Sequence, residues 1–388
     1  MDNNIGYPFQ KTNVIVINDT VKQNLFLLYQ VFPQFEKMWG SLFPEGIENV
    51  TKDKYDSTVS NTNKNIDQSV VIVKNLLDIF FRANPIITIV IENNYVDRTY
   101  RDCYYTHFSG KHFEYDRYCK RVLFFIGNQI EGIKNRNEKV LSEYFCGSTV
   151  IKPIKRGAIG RTLLSPKFFF GDEKNGFVRV SEYQINYCGM SLNVSAFPYS
   201  MQDRETLSCA EITILNIMDY FSNGYSDYKY TLPSDIYQVL INSGFERPLP
   251  TTGMSYTMIS KLLFEFGFFP KLYVANEGYT DEQMRRILSY YVESAIPVAV
   301  GLQYKAGYNH SIVCIGHGEA DSELLQTELY RTFETDGESN VDSLYIADTA
   351  IAHNELIVMD DNIMPYSSYK FVKEKMIAIL LILSKASV

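Results

Sequence analysis

Residues 201–221 read MQDRETLSCAEITILNIMDYF, and this stretch predicts a helix that begins at a cysteine. Apolar residues recur at helical spacing after the cysteine. Ser208 and Glu211 have the spacing of a capping box, which makes Cys209 the first helical residue. The N–H groups and dipole of a helix N-terminus favour a thiolate, whereas the carboxylate of Glu211 opposes it unless a cation compensates. Cys209 is therefore either a buried structural residue or a nucleophile.

Two polar residues further along the chain favour the nucleophile. His310 opens the apolar alternation of YNHSIVCIG, so it is expected at the mouth of a strand. Asp348 ends the next predicted strand, SLYIADTA. A carboxylate there can accept the Nδ1 proton of His310 and support its positive form. The order cysteine, histidine, aspartate predicts a catalytic triad of Cys209, His310 and Asp348.

The second half of the chain predicts a helical region followed by a sheet. The predicted helices after Cys209 lie near 233–243, 254–266 and 280–293, the last opened by Thr280 and Gln283 as a capping box. The predicted strands are 296–303, 310–318 and 343–350. Their connections need no long helical crossover, so we expect one antiparallel sheet and an α+β fold.

In this order of residues, the sequence resembles the papain-like cysteine peptidases. The likeness lies in Gln202, in Cys209 at a helix start, in PVAVGL and YNHSIVCIG, and in YIAD. Within that superfamily, the sequence most resembles the branch of the bacteriocin-leader (double-glycine) peptidases and their bacterial relatives. The resemblance implies Cys209 as nucleophile, His310 as general base and acid, Asp348 as orienter and Gln202 as oxyanion-hole donor. It also implies a protein or peptide substrate.

The sequence departs from the papain-like pattern at two points. Gln202 lies seven positions before Cys209, one more than is usual, and Ala210 follows the cysteine in place of Gly or Trp. Asp203 and Thr206 are turn formers that can absorb the extra residue. An acyltransferase or deamidase using the same triad stays open, as does a catalytically silent papain-like module that binds or regulates a partner.

The first half of the chain predicts a separate α/β domain. We place this domain at residues 1–185, without assigning it a role, and the papain-like domain at 186–388. Strong local predictions are a buried strand at 85–93, a helix over 97–122, and two strands that turn near Gly189. A partner protein could bind through this N-terminal domain.

One cluster in the first half has residue types that bind zinc. Cys103, His107, His112 and Cys119 lie close in sequence, and the first two share a helix face. Aromatic residues crowd the same segment, as in a helix that faces a core. We therefore leave metal binding by this cluster open and predict no cofactor.

Composition and charge exclude several classes of protein function. The chain has 388 residues and a formal net charge of −8, which argues against a role in coating nucleic acid or an anionic membrane. Its six cysteines are scattered rather than paired as a disulfide framework, which fits a reducing cytoplasm. No apolar run is long enough to span a bilayer, and the N-terminal residues lack a secretory pattern.

The connection between the predicted histidine and aspartate strands is acidic. Residues 319–342 carry eight acidic residues and one cation, Arg331. If this connection overhangs the cleft, basic substrates should be preferred; the alternative is a solvated loop.

Overall fold

The structure is a computed structural model that describes most of the chain. The described residues are 12–44, 46, 49–51, 53–54, 57, 67–170, 176–274, 278–303, 309–320, 330–332, 345–347, 350, 353–370 and 376–384.

Helices α1–α10 are numbered in chain order within the described residues. They are Val21–Val31, Glu36–Leu42, Gln68–Ala83, Arg98–Thr106, Ile130–Lys134, Glu138–Tyr144, Cys209–Gly224, Pro233–Asn242, Tyr256–Glu265 and Asp281–Glu293.

Strands β1–β16 follow the same convention. They are Thr12–Asn18, Ile86–Tyr95, Cys119–Ile126, Phe145–Ile151, Ile159–Leu164, Phe177–Val178, Ser181–Tyr187, Met190–Ala196, Phe268–Val274, Val298–Gln303, Asn309–His317, Tyr330–Thr332, Tyr345–Ala347, Glu355–Met359, Ser367–Lys370 and Met376–Ser384.

The described residues form two compact units. The first contains the described parts of 1–169, 180–262 and 361–365; the second contains those of 170–179, 263–360 and 366–388. The predicted domains, 1–185 and 186–388, remain a prediction, because a compact unit need not be a segment that folds alone.

The first unit contains an antiparallel sheet of five strands in the order β1-β2-β3-β4-β5. Each strand therefore pairs with its neighbour in sequence, as in a meander. We expected an α/β domain here, and the structure corrects this to helices with an antiparallel sheet. The chain as a whole combines helices with antiparallel sheets, in agreement with the α+β prediction.

A hairpin of β7 and β8 packs on the first sheet. Its two strands alternate buried and exposed side chains, and the register places Tyr187 opposite Met190. Cys188 and Gly189 between them both have positive φ, 48° and 80°, as a two-residue type I′ turn requires. The predicted turn near Gly189 is thus confirmed. Tyr183, Ile185 and Leu192 share a core with strands of the five-stranded sheet.

Helix α7 is buried on all its faces rather than on one. Every residue from Ala210 to Phe221 is buried, including the polar Asn216 and Asp219. Asp219 receives two hydrogen bonds from Arg161, at 2.6 and 2.9 Å, so the buried charge is paired. The helix beginning at Cys209 is therefore the central helix of this unit.

The second unit is built on a sheet of seven strands. Six follow the order β15-β14-β11-β10-β16-β9, and the short β6 also pairs with β11. Helix α10 packs on the sheet through Met284, Leu288 and Val292, which share a core with strands β10, β11 and β14. Thr280 and Gln283 form the reciprocal bonds of the predicted capping box, at 3.2 and 2.8 Å.

Two local predictions are wrong. Within the described residues, strand β13, inside the predicted strand 343–350, pairs with β12 in a separate two-stranded sheet. Strand β11 pairs instead with β10, β14 and β6. The helix predicted over 97–122 ends at Thr106, and β3 begins at Cys119. Pairing of β3 with β2 and β4 overrides the helix propensity of the second segment.

Candidate active site

Cys209 is the first residue of α7, as the sequence predicts. It is also the only one of the six cysteines that is half-buried. Cys188 is exposed, whereas the remaining four are buried. Burial raises the pKa of each buried thiol, to about 12 for Cys314. Those four cysteines are therefore unreactive core residues, and Cys209 differs from them in its access to solvent.

Glu211, one turn into α7, has the compensating cation that its charge requires. The side chain is fully buried, accepts the backbone N–H of Ser208 at 2.6 Å and forms an ion pair with Arg247. Arg247 also donates to the carbonyl of Thr206 at 2.6 Å. The pair joins the start of α7 to the loop before it. The negative charge beside Cys209 is thus neutralised within the unit.

Asp203 folds the loop that precedes Cys209. Its Oδ1 accepts the backbone N–H groups of Glu205, Thr206 and Leu207 at 2.7–3.0 Å, and its Oδ2 accepts the hydroxyl of Thr206 at 2.6 Å. The carboxylate is almost fully buried. The two turn formers expected from the sequence therefore bond to each other, and the loop reverses between Gln202 and Cys209.

Gln202 lies at the start of this loop and has a defined orientation. Its Nε2 donates to Asn362 Oδ1 at 2.9 Å. Behind it, Gly157 has φ +59°, and a Cβ at that position would lie 2.0 Å from the carbonyl oxygen of Gln202. Only glycine allows the two backbones to approach so closely. The amide of Gln202 can still donate a second N–H to a ligand.

His310 lies at the start of β11, bonded to a carboxylate that the sequence did not indicate. Its Nε2 is 2.8 Å from Asp360 Oδ1, and the two side chains are 7% and 2% exposed. Asp360 directly follows β14, and antiparallel pairing brings the end of β14 to the start of β11. The other carboxylate oxygen accepts the hydroxyl of Tyr369. Asp360 therefore orients the imidazole from Nε2.

Asp348, the predicted orienter, lies outside the described residues. The carboxylate on His310 is Asp360, and the bonded nitrogen is Nε2 rather than the expected Nδ1. The sequence contains a usable signal for this residue: the apolar run ELIVM is followed by two aspartates. The acidic connection 319–342 also lies mostly outside the described residues.

The predicted site residues thus fall in two groups. Gln202 and Cys209 belong to the first unit, where the loop ordered by Asp203 joins them. His310 belongs to the second unit, with Asp360.

The cysteine and histidine cluster of the first half does not form a metal site. Within the described chain, no group of three ligand atoms close enough to share an ion includes any of the four residues. Cys103 and Cys119 are buried thiols, and His107 Nε2 bonds to Glu205 Oε2 at 3.0 Å. His112 is exposed. The two cysteines thus pack in the core of the first unit, whereas His107 is half-buried and His112 lies on the surface.

A second histidine group lies at the other end of β11, with ligand types suited to a metal. Atoms of Glu293, His317 and His353 lie within 4.8 Å of one another. His317 bonds to Glu293 through Nε2 and to the carbonyl of Gly318 through Nδ1, both at 2.9 Å. However, the two imidazoles stack with centroids 3.6 Å apart and planes 11° apart. A nitrogen lone pair lies in its ring plane, so one ion cannot lie in both planes. This arrangement favours a hydrogen-bonded stack over a metal centre.

A small cavity of about 30 Å³ lies beside α7 in the first unit, bordered by Asp97, Arg161 and Asp219. Its size suits a single water molecule. Asp97 caps α4 by accepting the N–H of Tyr100 at 2.8 Å. Burial raises the pKa of Asp97.

No helix in the described ranges has the length and apolar character needed to cross a membrane. Comparison with models of known protein families gives no match, and comparison with curated proteins gives none either.

Proposed function

We propose that this protein is a thiol hydrolase, and specifically a cysteine peptidase that cleaves a peptide or isopeptide bond. Cys209 is the nucleophile, His310 the general base and acid, and Asp360 the residue that orients His310. The observation that carries the proposal is the buried hydrogen bond between His310 Nε2 and Asp360 Oδ1, 2.8 Å long. A buried imidazole held by a carboxylate is the arrangement that general acid–base catalysis needs. The pairing of Cys209 with His310 rests on the order of the residues in the sequence.

The chemistry proceeds in two stages through a thioester. His310 takes the thiol proton of Cys209, while Asp360 holds the imidazole at Nε2. The sulfur then bonds to the substrate carbonyl carbon, and the carbon–nitrogen bond breaks as His310 gives its proton to the leaving amine. Water then attacks the thioester carbon while His310 takes a proton from the water. The carbon–sulfur bond breaks, His310 returns the proton to the sulfur, and the carboxylic acid leaves.

Two donors are available for the oxyanion that forms in each stage. The backbone N–H of Cys209 lies at the start of α7, where helix N–H groups have no partner within the helix. Gln202 supplies a neutral amide on the loop folded by Asp203. Such donors typically contribute about 2.7–4 kcal/mol each to the transition state.

The papain-like identity is part of the same proposal. It is supported by a cysteine at the start of a buried helix, by a histidine at the start of a strand in an antiparallel sheet, and by the sequence likeness. The division into 1–185 and 186–388, the latter as the peptidase domain, belongs to this proposal too. Transfer of the acyl group to an amine instead of water would use the same residues.

Alkylation of Cys209 tests the nucleophile. In a Cys188→Ser background, Cys209 is the one cysteine that is not buried. At pH 6 an ordinary thiol with a pKa near 8.5 is roughly 0.3% thiolate. A thiolate held by His310 should therefore react with iodoacetamide on the order of 10–100 times faster than a free cysteine at this pH. Mass spectrometry of the modified peptide gives the rate.

The His310→Ala variant is the matched comparison. This variant should lower the rate of Cys209 alkylation at pH 6 to that of a free thiol and leave the alkylation rate at pH 9 little changed. Equal rates at pH 6 for the two proteins would rule out the pairing of Cys209 with His310. Hydrolysis of a fluorogenic peptide library, with and without an added amine, then distinguishes a peptidase from an acyltransferase.

A further inference from the structure

A cavity of about 860 Å³ opens in the first unit, beside Gln202. It is bordered by the start of α2, the start of α3, and the loops around Gly157 and Gln202. Binding sites for small molecules usually have volumes of about 300–1,000 Å³. Part of the predicted N-terminal domain, to which the sequence assigns no role, therefore lines a cavity that reaches a predicted catalytic residue.

Four cations border this cavity and are all exposed: Lys37, Lys155, Arg156 and Arg204. Lys155 stands over the ring of Phe113, 4.9 Å from its centroid. The other three form no ion pair within the part of the chain that the structure describes. Positive charge is thus concentrated at one opening of a chain whose net charge is −8.

The acids at the same cavity offset this charge only in part. Asp203 is 3% exposed, and its carboxylate is occupied by three backbone N–H groups. Asp67 caps α3 by accepting the N–H of Ser69 at 2.8 Å. Among the described residues that border the cavity, only Glu36 presents an exposed carboxylate. In the described lining of the cavity, a ligand therefore meets four exposed cations and one exposed anion.

The neutral polar lining suits a peptide. Gln34, Gln68 and Gln202 contribute amides, which can both donate to and accept from peptide groups. The bond from Gln202 to Asn362 orients one of these amides. Nucleic acid fits less well, because the aromatic residue in the described lining, Phe35, is buried and offers no face on which bases can stack.

We infer that this cavity binds an acidic peptide segment and, resting on the proposed function, that it holds the substrate beside Gln202. This assignment is opposite to the basic preference expected from the acidic connection 319–342. Binding can be measured without turnover in a Cys209→Ala protein, so a failure of the hydrolase proposal leaves this test intact.

Fluorescence anisotropy of three labelled peptides tests the inference. The peptides alternate glycine with glutamate, glutamine or lysine. We expect the glutamate peptide to bind most tightly, and its affinity to fall as salt is raised, because exposed charges are screened. An exposed ion pair changes an equilibrium constant by about 1.4–5-fold. Charge reversal also adds a repulsion of similar size at each of the two positions, so Arg156→Glu with Arg204→Glu should weaken binding at least about fourfold and at most about 600-fold.

Lys139→Glu is the matched control, because Lys139 is exposed in the same unit and does not border the cavity. It should change the affinity less than twofold. Equal or tighter binding of the lysine peptide would overturn the inference, as would insensitivity to the double reversal. Tighter binding of a single-stranded oligonucleotide that displaces the glutamate peptide would also overturn it, in favour of a nucleic-acid site.

Discussion

Replacing Asp360 by asparagine is the most direct test of the buried carboxylate on His310. Within the described residues, Asp360 accepts hydrogen bonds from His310 Nε2 at 2.8 Å and from the hydroxyl of Tyr369. Asparagine keeps one acceptor oxygen and turns the other position into a donor. One charge-assisted bond, worth about 1.5–3 kcal/mol, is then lost, and the other weakens by about 1 kcal/mol as the acceptor becomes neutral. We expect the free energy of unfolding to fall by roughly 2.5–4 kcal/mol.

The same substitution should impair the chemistry more than the fold. In a catalytic triad, the corresponding aspartate-to-asparagine change lowers kcat by about 10⁴-fold, because the histidine is held in the wrong tautomer. The assays are urea unfolding for stability, and alkylation of Cys209 at pH 6 together with peptide hydrolysis for function. The functional assays are run without urea, where the variant remains folded.

Two further variants separate the possible causes. Tyr369→Phe removes the charge-assisted bond from the tyrosine hydroxyl to Asp360, so we expect a loss of about 1.5–3 kcal/mol in stability and little change in alkylation. Asp348→Asn should leave both measurements nearly unchanged if Asp360 is the orienter. A large functional loss in Asp348→Asn, with Asp360→Asn active, would refute the role given to Asp360.

Three other predictions concern the first unit. Gly157→Ala should lower the urea midpoint more than Gly189→Ala, because both sites have positive φ but only the first places a Cβ against backbone, 2.0 Å from the carbonyl of Gln202. Gln202→Ala should slow turnover about 100–1000-fold yet leave alkylation of Cys209 intact, because alkylation forms no oxyanion. Asp97→Asn should stabilise the protein increasingly as pH rises above about 4. Burial raises the pKa of the Asp97 carboxyl on folding, so the native state binds the carboxyl proton more tightly than the unfolded state does. The wild type therefore loses stability as pH rises from the unfolded pKa to the folded pKa, whereas asparagine does not titrate. Urea midpoints from pH 4 to 8 should diverge between the wild type and Asp97→Asn; parallel curves would contradict this.

Features set by local spacing could be predicted from the sequence. The start of α7 at Cys209, the capping box of Thr280 and the hairpin turn at Gly189 each depend on residues a few positions apart. His310 at the start of a strand was also predictable, because the apolar alternation begins just after it. In each case the side chains that decide the structure lie within one turn of the affected backbone.

The partner of His310 was not predictable in this way. It depends on which strand lies beside β11, and the sheet selects β14 rather than the strand that follows His310 most closely in sequence. Strand neighbours are set by the packing of whole faces, which the spacing of residues along one chain does not encode. The cation that pairs with Glu211 was missed for the same reason, since Arg247 is 36 positions away.

The burial of α7 has a consequence for how the nucleophile moves. Because this helix is enclosed on all faces, its backbone amides can exchange with solvent only when the unit opens on a large scale. Deuterium uptake from Ile214 to Phe221 should therefore be among the slowest in the protein and should accelerate with urea as global unfolding does. A cysteine anchored at the end of such a helix keeps its position while nearby loops fluctuate. Any adjustment to a substrate must then come from groups other than the sulfur.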